Sequence, residues 1–237
     1  MSSHAQLREQ VLEANRELVR AGLVVLTFGN ASAVDRAAGV MAIKPSGVPY
    51  DELELETIVL VDVESGEPVE EGYRPSSDAP THLVLYRRFA AVGGIVHTHS
   101  RYATAWAQAR REIPCFGTTH ADDFHGPVPV TRPLASEEIQ GDYEARTGEV
   151  IVETLERLEL DPLEMPAALV ASHGPFAWGA DVAFAVENAI ALEAVAEIAL
   201  HTVLLEAEAG RIEDDLLHRH YLRKHGSSAY YGQPRRP

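Results

Sequence analysis

From Asp181 to Glu208 the chain reads DVAFAVENAIALEAVAEIALHTVLLEAE, an alanine-rich run that Asp181 can cap as a helix and that is hydrophobic on more than one face. Such a helix has to be covered on more than one side, by its own core or by a neighbouring subunit. Short β-type runs elsewhere supply the rest of that core. These are LVVLTF (residues 23–28), VMAIK (40–44), TIVLVDV (57–63), GGIVHTHS (93–100) and the strand–turn–strand ALVASHGPFAWG (168–179). Turn signals such as GNAS, PSGVP and ESGEP punctuate them. Helices are predicted from Leu7 to Val19 with Gly22 beyond their end, from Pro80 to Phe89 behind Ser77 or Asp78, and up to Arg110 after the histidine-bearing strand. No repeat and no linker divides the chain. It reads as a single α/β or α+β domain over residues 1–237, with a C-terminal arm from about residue 211.

Charge narrows the partners. Twenty basic against 36 acidic residues leave −16 over 237 residues, which disfavours nucleic acid and anionic membrane surfaces. The excess is uneven. Asp51–Glu71 holds acids and no bases, whereas residues 218–224 read HRHYLRK. One cysteine, Cys115, excludes an intramolecular disulfide and suits a reducing compartment. The start of the chain shows no secretory pattern and no apolar run is expected to span a membrane, so the expected location is the cytoplasm.

The chemistry lies in the histidines. His97 and His99 alternate along one strand and so project on one side, half of a divalent-metal site. A solvated strand face would show the same pair. A third imidazole would decide the matter: His173, beside Gly174 and Pro175 at a strand-end turn, is one candidate, and His120 and His125 compete with it. Asp78 could ligate a cation or move a proton, or simply cap the helix that follows. Three turn-like segments could hold a phosphate: Gly29, Asn30 and Ser32 in GNAS; Lys44, Ser46 and Gly47 in KPSG; Ser76 and Ser77 in PSSD. Ordinary turn chemistry uses these residues too, and no Walker-type loop is present.

Together the segments TFGNASAVD, IKPSGV, RPSSDAPTH, GGIVHTHSRYATAWAQA, GTTHADDF, SHGPFAWG and HYLRKHGSSAYYGQ resemble the epimerase branch of the class II aldolase family of metal-dependent sugar-phosphate enzymes, from near Leu7 to Gln233. The resemblance implies a three-layer α/β fold whose central, mainly antiparallel sheet is flanked by helices. It implies a zinc-type site of His97, His99 and His173 with Asp78 at the metal-proximal position, Co²⁺ or Mn²⁺ being able to occupy the same ligands. It places Gly29, Asn30, Lys44, Ser46, Gly47, Ser76 and Ser77 on substrate and phosphate segments, and Thr118, Glu144 and His220 near the site. Asp122 and Tyr231 fall on the positions of an acid/base pair that the family draws from different subunits of a homotetramer.

The implied reaction interconverts L-ribulose 5-phosphate and D-xylulose 5-phosphate, by breaking and re-forming the C3–C4 bond, in arabinose catabolism. A class II aldolase that releases the cleavage products is the alternative. Resembling aldolases place a glutamate where this chain has Asp78, and the shorter side chain agrees with an epimerase. A metal-dependent hydrolase would need further ligands near H-x-H, and SRYATAW offers none. Asp123 stands where an aromatic residue is usual, and a second carboxylate there is expected to disfavour ionised Asp122.

Overall fold

A computed structural model describes residues 3–231. In chain order these form α1 (Ser3–Arg20), β1 (Asn30–Asp35), β2 (Val40–Ile43), β3 (Val59–Asp62), α2 (Ala79–Arg88), β4 (Gly94–His97), α3 (Arg101–Gln108), α4 (Thr118–Ala121), α5 (Ser136–Gln140), α6 (Tyr143–Arg157), β5 (Ala167–Leu169), β6 (Pro175–Gly179), α7 (Val182–Leu205) and α8 (Asp214–His225). The strands make one antiparallel sheet in the order β3-β2-β1-β4-β6-β5.

Both faces of the sheet are covered, so its strands are apolar on both sides and their residues divide with period two. Val40, Ala42, Val96 and Ala177 join α1, α3 and α7 in one core. Met41, Ile43, Ile95, Phe176 and Trp178 join α2 and α6 in the other. The three-layer arrangement expected from the sequence is therefore present.

The glycines of GGIVHTHS have a packing reason. A Cβ on Gly94 would lie 2.3 Å from the Cα of Val182, and one on Gly179, its partner across the ladder, 2.6 Å from the Cβ of Phe184. The start of α7 thus rests directly on the backbone of the central strands, which fixes where β4 ends and delivers His97.

Three expectations need correction. LVVLTF is not a strand: Leu26 has a φ of 55°, Leu26 and Phe28 are exposed, and Gly29 at φ 81° turns the chain into β1. The first strand instead begins inside GNAS, where Asn30 and Ser32 are buried polar residues that resemble turn chemistry in sequence. The third concerns α7, which with 24 residues and a mean hydropathy of 1.5 does reach membrane-spanning length and composition. It packs along β4 and β6, and Glu193 on it accepts the Tyr102 and Ala103 N–H groups at 2.8 and 2.9 Å, satisfying the start of α3. These contacts tie one side of the helix to the sheet of its own chain. The last six residues of the expected arm lie outside the described residues.

Candidate metal centre and active site

His97 closes β4, His99 follows two residues later, and His173 projects from the turn between β5 and β6, where Ser172 takes a φ of 65°. Close backbone approach makes this possible. A Cβ on Gly29 would lie 2.8 Å from the His97 carbonyl, and one on Gly174 would lie 2.8 Å from the Thr98 carbonyl. One nitrogen from each ring lies within 4.8 Å of the others, the only three-residue His/Cys/Asp/Glu cluster of this kind among the described residues.

The donor set fits a divalent cation. His97 Nδ1–H donates to the Pro175 carbonyl at 2.9 Å, which fixes the tautomer and leaves Nε2 as a lone pair facing His99 Nε2 at 3.1 Å. Two nitrogens each ~2.0–2.1 Å from one tetrahedral zinc would be ~3.4 Å apart. His97 stacks on Phe176 with ring centroids 4.1 Å apart, so its plane is set by core packing. Burial, reinforced by His97 and His99 and opposed by Asp78, pushes His173 down to about 4. The ring is consequently a neutral donor at ordinary pH.

Asp78 occupies the N-cap position of α2, yet its carboxylate makes no capping hydrogen bond. Asn30 Nδ2 donates to it at 2.7 Å instead. Burial would raise its pKa, but His97, His82, His173 and the Asn30 amide outweigh that and hold it below the usual carboxylate range. Of its two readings, the structure supports the anion beside the histidines over the cap.

These groups border a cavity of about 410 Å³ lined by Gly29, Lys44, Ser46, Gly47, Ser76, Ser77, Asp78, His99, Glu144 and His173, together with Thr27, Phe28, Pro45 and Tyr143. An antiparallel bridge between Pro45 and Pro75, with Ser76 N–H donating to the Lys44 carbonyl and Ser46 N–H to the Arg74 carbonyl, both at 3.0 Å, joins KPSG to PSSD, and Ser46, Ser76 and Ser77 line the same cavity. Lys44 itself is buried. Its ammonium donates to the Val48 carbonyl at 2.8 Å and lies over the Tyr50 ring at 4.8 Å, and burial lowers its pKa.

The remaining expected residues form a second cluster. Thr118 begins α4, and Asp122 directly follows it. Arg223 Nε and Nη2 donate to Asp122 at 3.0 and 2.7 Å, and His220 Nδ1 lies 3.1 Å from the same carboxylate. Tyr231 lies under the Arg223 guanidinium at 4.7 Å. None of Thr118, Asp122, His220 or Tyr231 lines the histidine cavity of its own chain. Within this chain Asp122 and Tyr231 both contact Arg223, because α8 packs on α4.

Asp123 does not have the expected effect either. It is drawn off in an ion pair with Lys224. Burial would raise Asp122, but the bonds from Arg223 and His220 hold it below the usual range. His120 and His125, the competing ligands, are committed elsewhere. His120 Nε2–H donates to the Gly126 carbonyl at 2.9 Å, and His125 stacks on Tyr221.

Sequence reasoning did not single out Tyr143, whose hydroxyl is 3.4 Å from His173 Nδ1, and reached Arg223 only as part of the basic segment HRHYLRK. It also passed over His82, wholly buried four residues beyond Asp78, which shares a hydrogen bond of 2.7 Å with Ser32. The i+4 spacing from Asp78 was the one available signal for His82.

Burial pushes His82 down to about 3 and His120 down to about 4. Between those values and the ordinary histidine value of ~6.5, the unfolded chain binds protons that the folded chain does not. Unfolding then takes up protons, so stability falls as pH falls, by about 1.4 kcal/mol per pH unit for each ring. Denaturation midpoints of metal-free protein should drop steadily from pH 6.5 to 4.5; a flat profile would mean that these rings are not held neutral.

Residues 9–200 match the family described as Class II Aldolase and Adducin N-terminal domain. Over 228 residues, 96% of this chain and 99% of the relative, the sequence is 52% identical to L-ribulose-5-phosphate 4-epimerase UlaF of Salmonella paratyphi C (strain RKS4594), and equally so to that of Salmonella choleraesuis (strain SC-B67). Among solved structures, an L-fuculose 1-phosphate aldolase shares the fold with a TM-score of 0.77 at 24% identity, over 92% of this chain and 97% of the other. Sheet order, histidine cluster and near full-length sequence similarity agree: the chain belongs to the class II aldolase and adducin N-terminal domain family.

Proposed function

We propose that the protein is a metal-dependent epimerase that interconverts L-ribulose 5-phosphate and D-xylulose 5-phosphate by cleaving and re-forming the C3–C4 bond. The observation that carries this reading is the convergence of three imidazoles at the edge of a cavity whose lining includes Ser46, Ser76 and Ser77. The relatives at 52% identity bear the name of that activity. His97, His99 and His173, with Asp78 beside them, would hold one divalent cation, zinc suiting three imidazoles, and it would supply Lewis acidity toward the ketone and adjacent hydroxyl oxygens.

The chain's own residues do the rest. Hydroxyls of Ser46, Ser76 and Ser77 and main-chain N–H groups around Gly47 receive the phosphate, with the buried Lys44 charge behind them. Gly29 lets the backbone close on the substrate, and Asn30 holds Asp78. The C4 hydrogen is not adjacent to the C2 carbonyl and is not acidic, so inversion there requires bond cleavage rather than proton abstraction. The phosphate grip keeps the aldehyde fragment in place while it turns its other face. A proton leaves the C4 hydroxyl on cleavage and returns to it on re-formation, and Asp122 and Tyr231 are the groups suited to move it.

Those two residues lie outside the cavity of their own chain, which supports the reading that they serve the cavity of a second copy in a homotetramer with sites at its subunit interfaces. The apolar side chains that α7 leaves exposed, Ile198 at 49% and Leu205 at 89%, suit such a contact. A sugar-phosphate substrate supports a cytoplasmic location.

Incubation with L-ribulose 5-phosphate should yield D-xylulose 5-phosphate in a coupled assay. Release of glycolaldehyde phosphate without the xylulose product would instead identify an aldolase. Tyr231→Phe and Asp122→Asn should each lower turnover by about 10²–10⁴-fold at unchanged cation content. Turnover close to that of the wild type would remove the substituted residue from the mechanism.

A further inference from the structure

We infer that Arg223 is the positioning residue of the acid–base pair, holding Asp122 and Tyr231 as one preassembled unit on the α4–α8 arm. The inference rests on the proton-transfer reading given above and adds to it a residue that reading does not require. Five contacts carry it. The guanidinium makes two hydrogen bonds to the two carboxylate oxygens, at 3.0 Å to Oδ1 and 2.7 Å to Oδ2. Its carbon lies 4.7 Å from the centroid of the Tyr231 ring. The Arg223 carbonyl accepts the N–H groups of Tyr230 and Tyr231, both at 3.0 Å, which turns the chain after α8 back onto the arginine. A half-exposed tail tyrosine is thereby fixed by the same residue that orients the carboxylate.

The fork geometry matters more than the charge. A planar guanidinium can bind both oxygens of Asp122 with one edge and present its face to an aromatic ring, whereas an ammonium can do only one of these at a time. The other groups around Asp122 do not replace it. His220 Nδ1 reaches only Oδ1, at 3.1 Å, and His225 Nε2 bonds the Asp122 main-chain carbonyl at 2.9 Å. Lys224 is engaged by Asp123, and His120 on α4 is turned to the Gly126 carbonyl. From α7, which packs on α4, Ile198 and Ala199 are the apolar neighbours.

The test compares Arg223→Gln and Arg223→Lys with the wild type in the cation-loaded enzyme, with L-ribulose 5-phosphate as substrate. Both variants should lower kcat, by ~10–100-fold, as expected for a misplaced reacting group, with KM changed little and cation content unchanged. The acid limb of the kcat profile should move upward by ~1 pH unit in Arg223→Gln, where Asp122 loses its cationic partner, and less in Arg223→Lys, which keeps a charge nearby. A purely structural role would not move that limb. Wild-type kcat and an unmoved limb, or a rise confined to KM, would overturn the inference. If Arg223→Gln fails to fold, Arg223→Lys carries the test through its loss of kcat. Asp122→Asn and Tyr231→Phe run in parallel separate the two levels. Full turnover in both refutes the proton-transfer reading and this inference with it. Loss in both, beside a wild-type-like Arg223→Gln, refutes the positioning role alone.

Discussion

His97→Ala is expected to release the cation and reduce turnover by about a thousandfold. Of the three imidazoles, His97 is the most firmly placed. It ends a central strand, stacks on Phe176, and has its tautomer set by the Pro175 carbonyl. Alanine removes one of three nitrogens and leaves His99, exposed, and His173, on a turn, without the ring that both face. A Lewis acid on the reacting oxygens is worth several kcal/mol, and each 1.4 kcal/mol is a factor of ten in rate, which gives the thousandfold. Metal content by elemental analysis, measured beside the coupled assay, checks both halves. A variant that keeps a full equivalent of cation, or that turns over at more than a tenth of the wild-type rate, would place the metal centre elsewhere.

Gly94→Ala should be among the most damaging single methyl additions to the fold. Its Cβ would stand 2.3 Å from the Cα of Val182, 2.4 Å from its nitrogen and 2.6 Å from the carbonyl carbon of Asp181. All three are backbone atoms, so no rotamer change relieves the clash. Either α7 lifts from the sheet or β4 shifts, and both disturb the two cores. Overpacking costs ~1–3 kcal/mol where side chains can yield, and more where they cannot. At ~2–4 °C per kcal/mol for a chain of this size, the melting midpoint should fall by about 10 °C. Because β4 ends at His97, cation affinity should fall with it. Gly117→Ala is the control. Its φ of −161° suits any residue and nothing lies within 4 Å of the added carbon, so stability should change by less than ~0.5 kcal/mol. Equal midpoints for the two variants would contradict the packing described for Gly94.

How much of this was readable in the sequence depended on whether a residue's role matched its usual one. VMAI, VLVD and GIVH are apolar on both faces because the sheet is covered on both, so they read as strands. NASAVD did not, because its inward polar residues serve other groups: Asn30 holds Asp78, and Ser32 lies between His82 and Tyr86. LVVLTF misled for the opposite reason, Val25, Leu26 and Phe28 being exposed and Phe28 lining the cavity. The three imidazoles were legible together only through the family resemblance, since H-x-H alone suits a solvated strand face as well and His120 and His125 competed with His173. The Asp78 side chain could be assigned only when Asn30, 48 residues away, was seen to hold it. Arg223 was signalled only as one of the cations of HRHYLRK, since a cation near the end of a helix is ordinary.

β4 runs between β1 and β6, two strands in from one edge of the sheet and three from the other. Fraying at β3 therefore leaves the His97 strand intact, and the His97 main-chain amide should be among the slowest to exchange with deuterated solvent. Ion capture then resembles a key entering a lock already cut, with little folding to be done on arrival. Stripping the ion with a chelator should leave the circular dichroism of the chain essentially as it was.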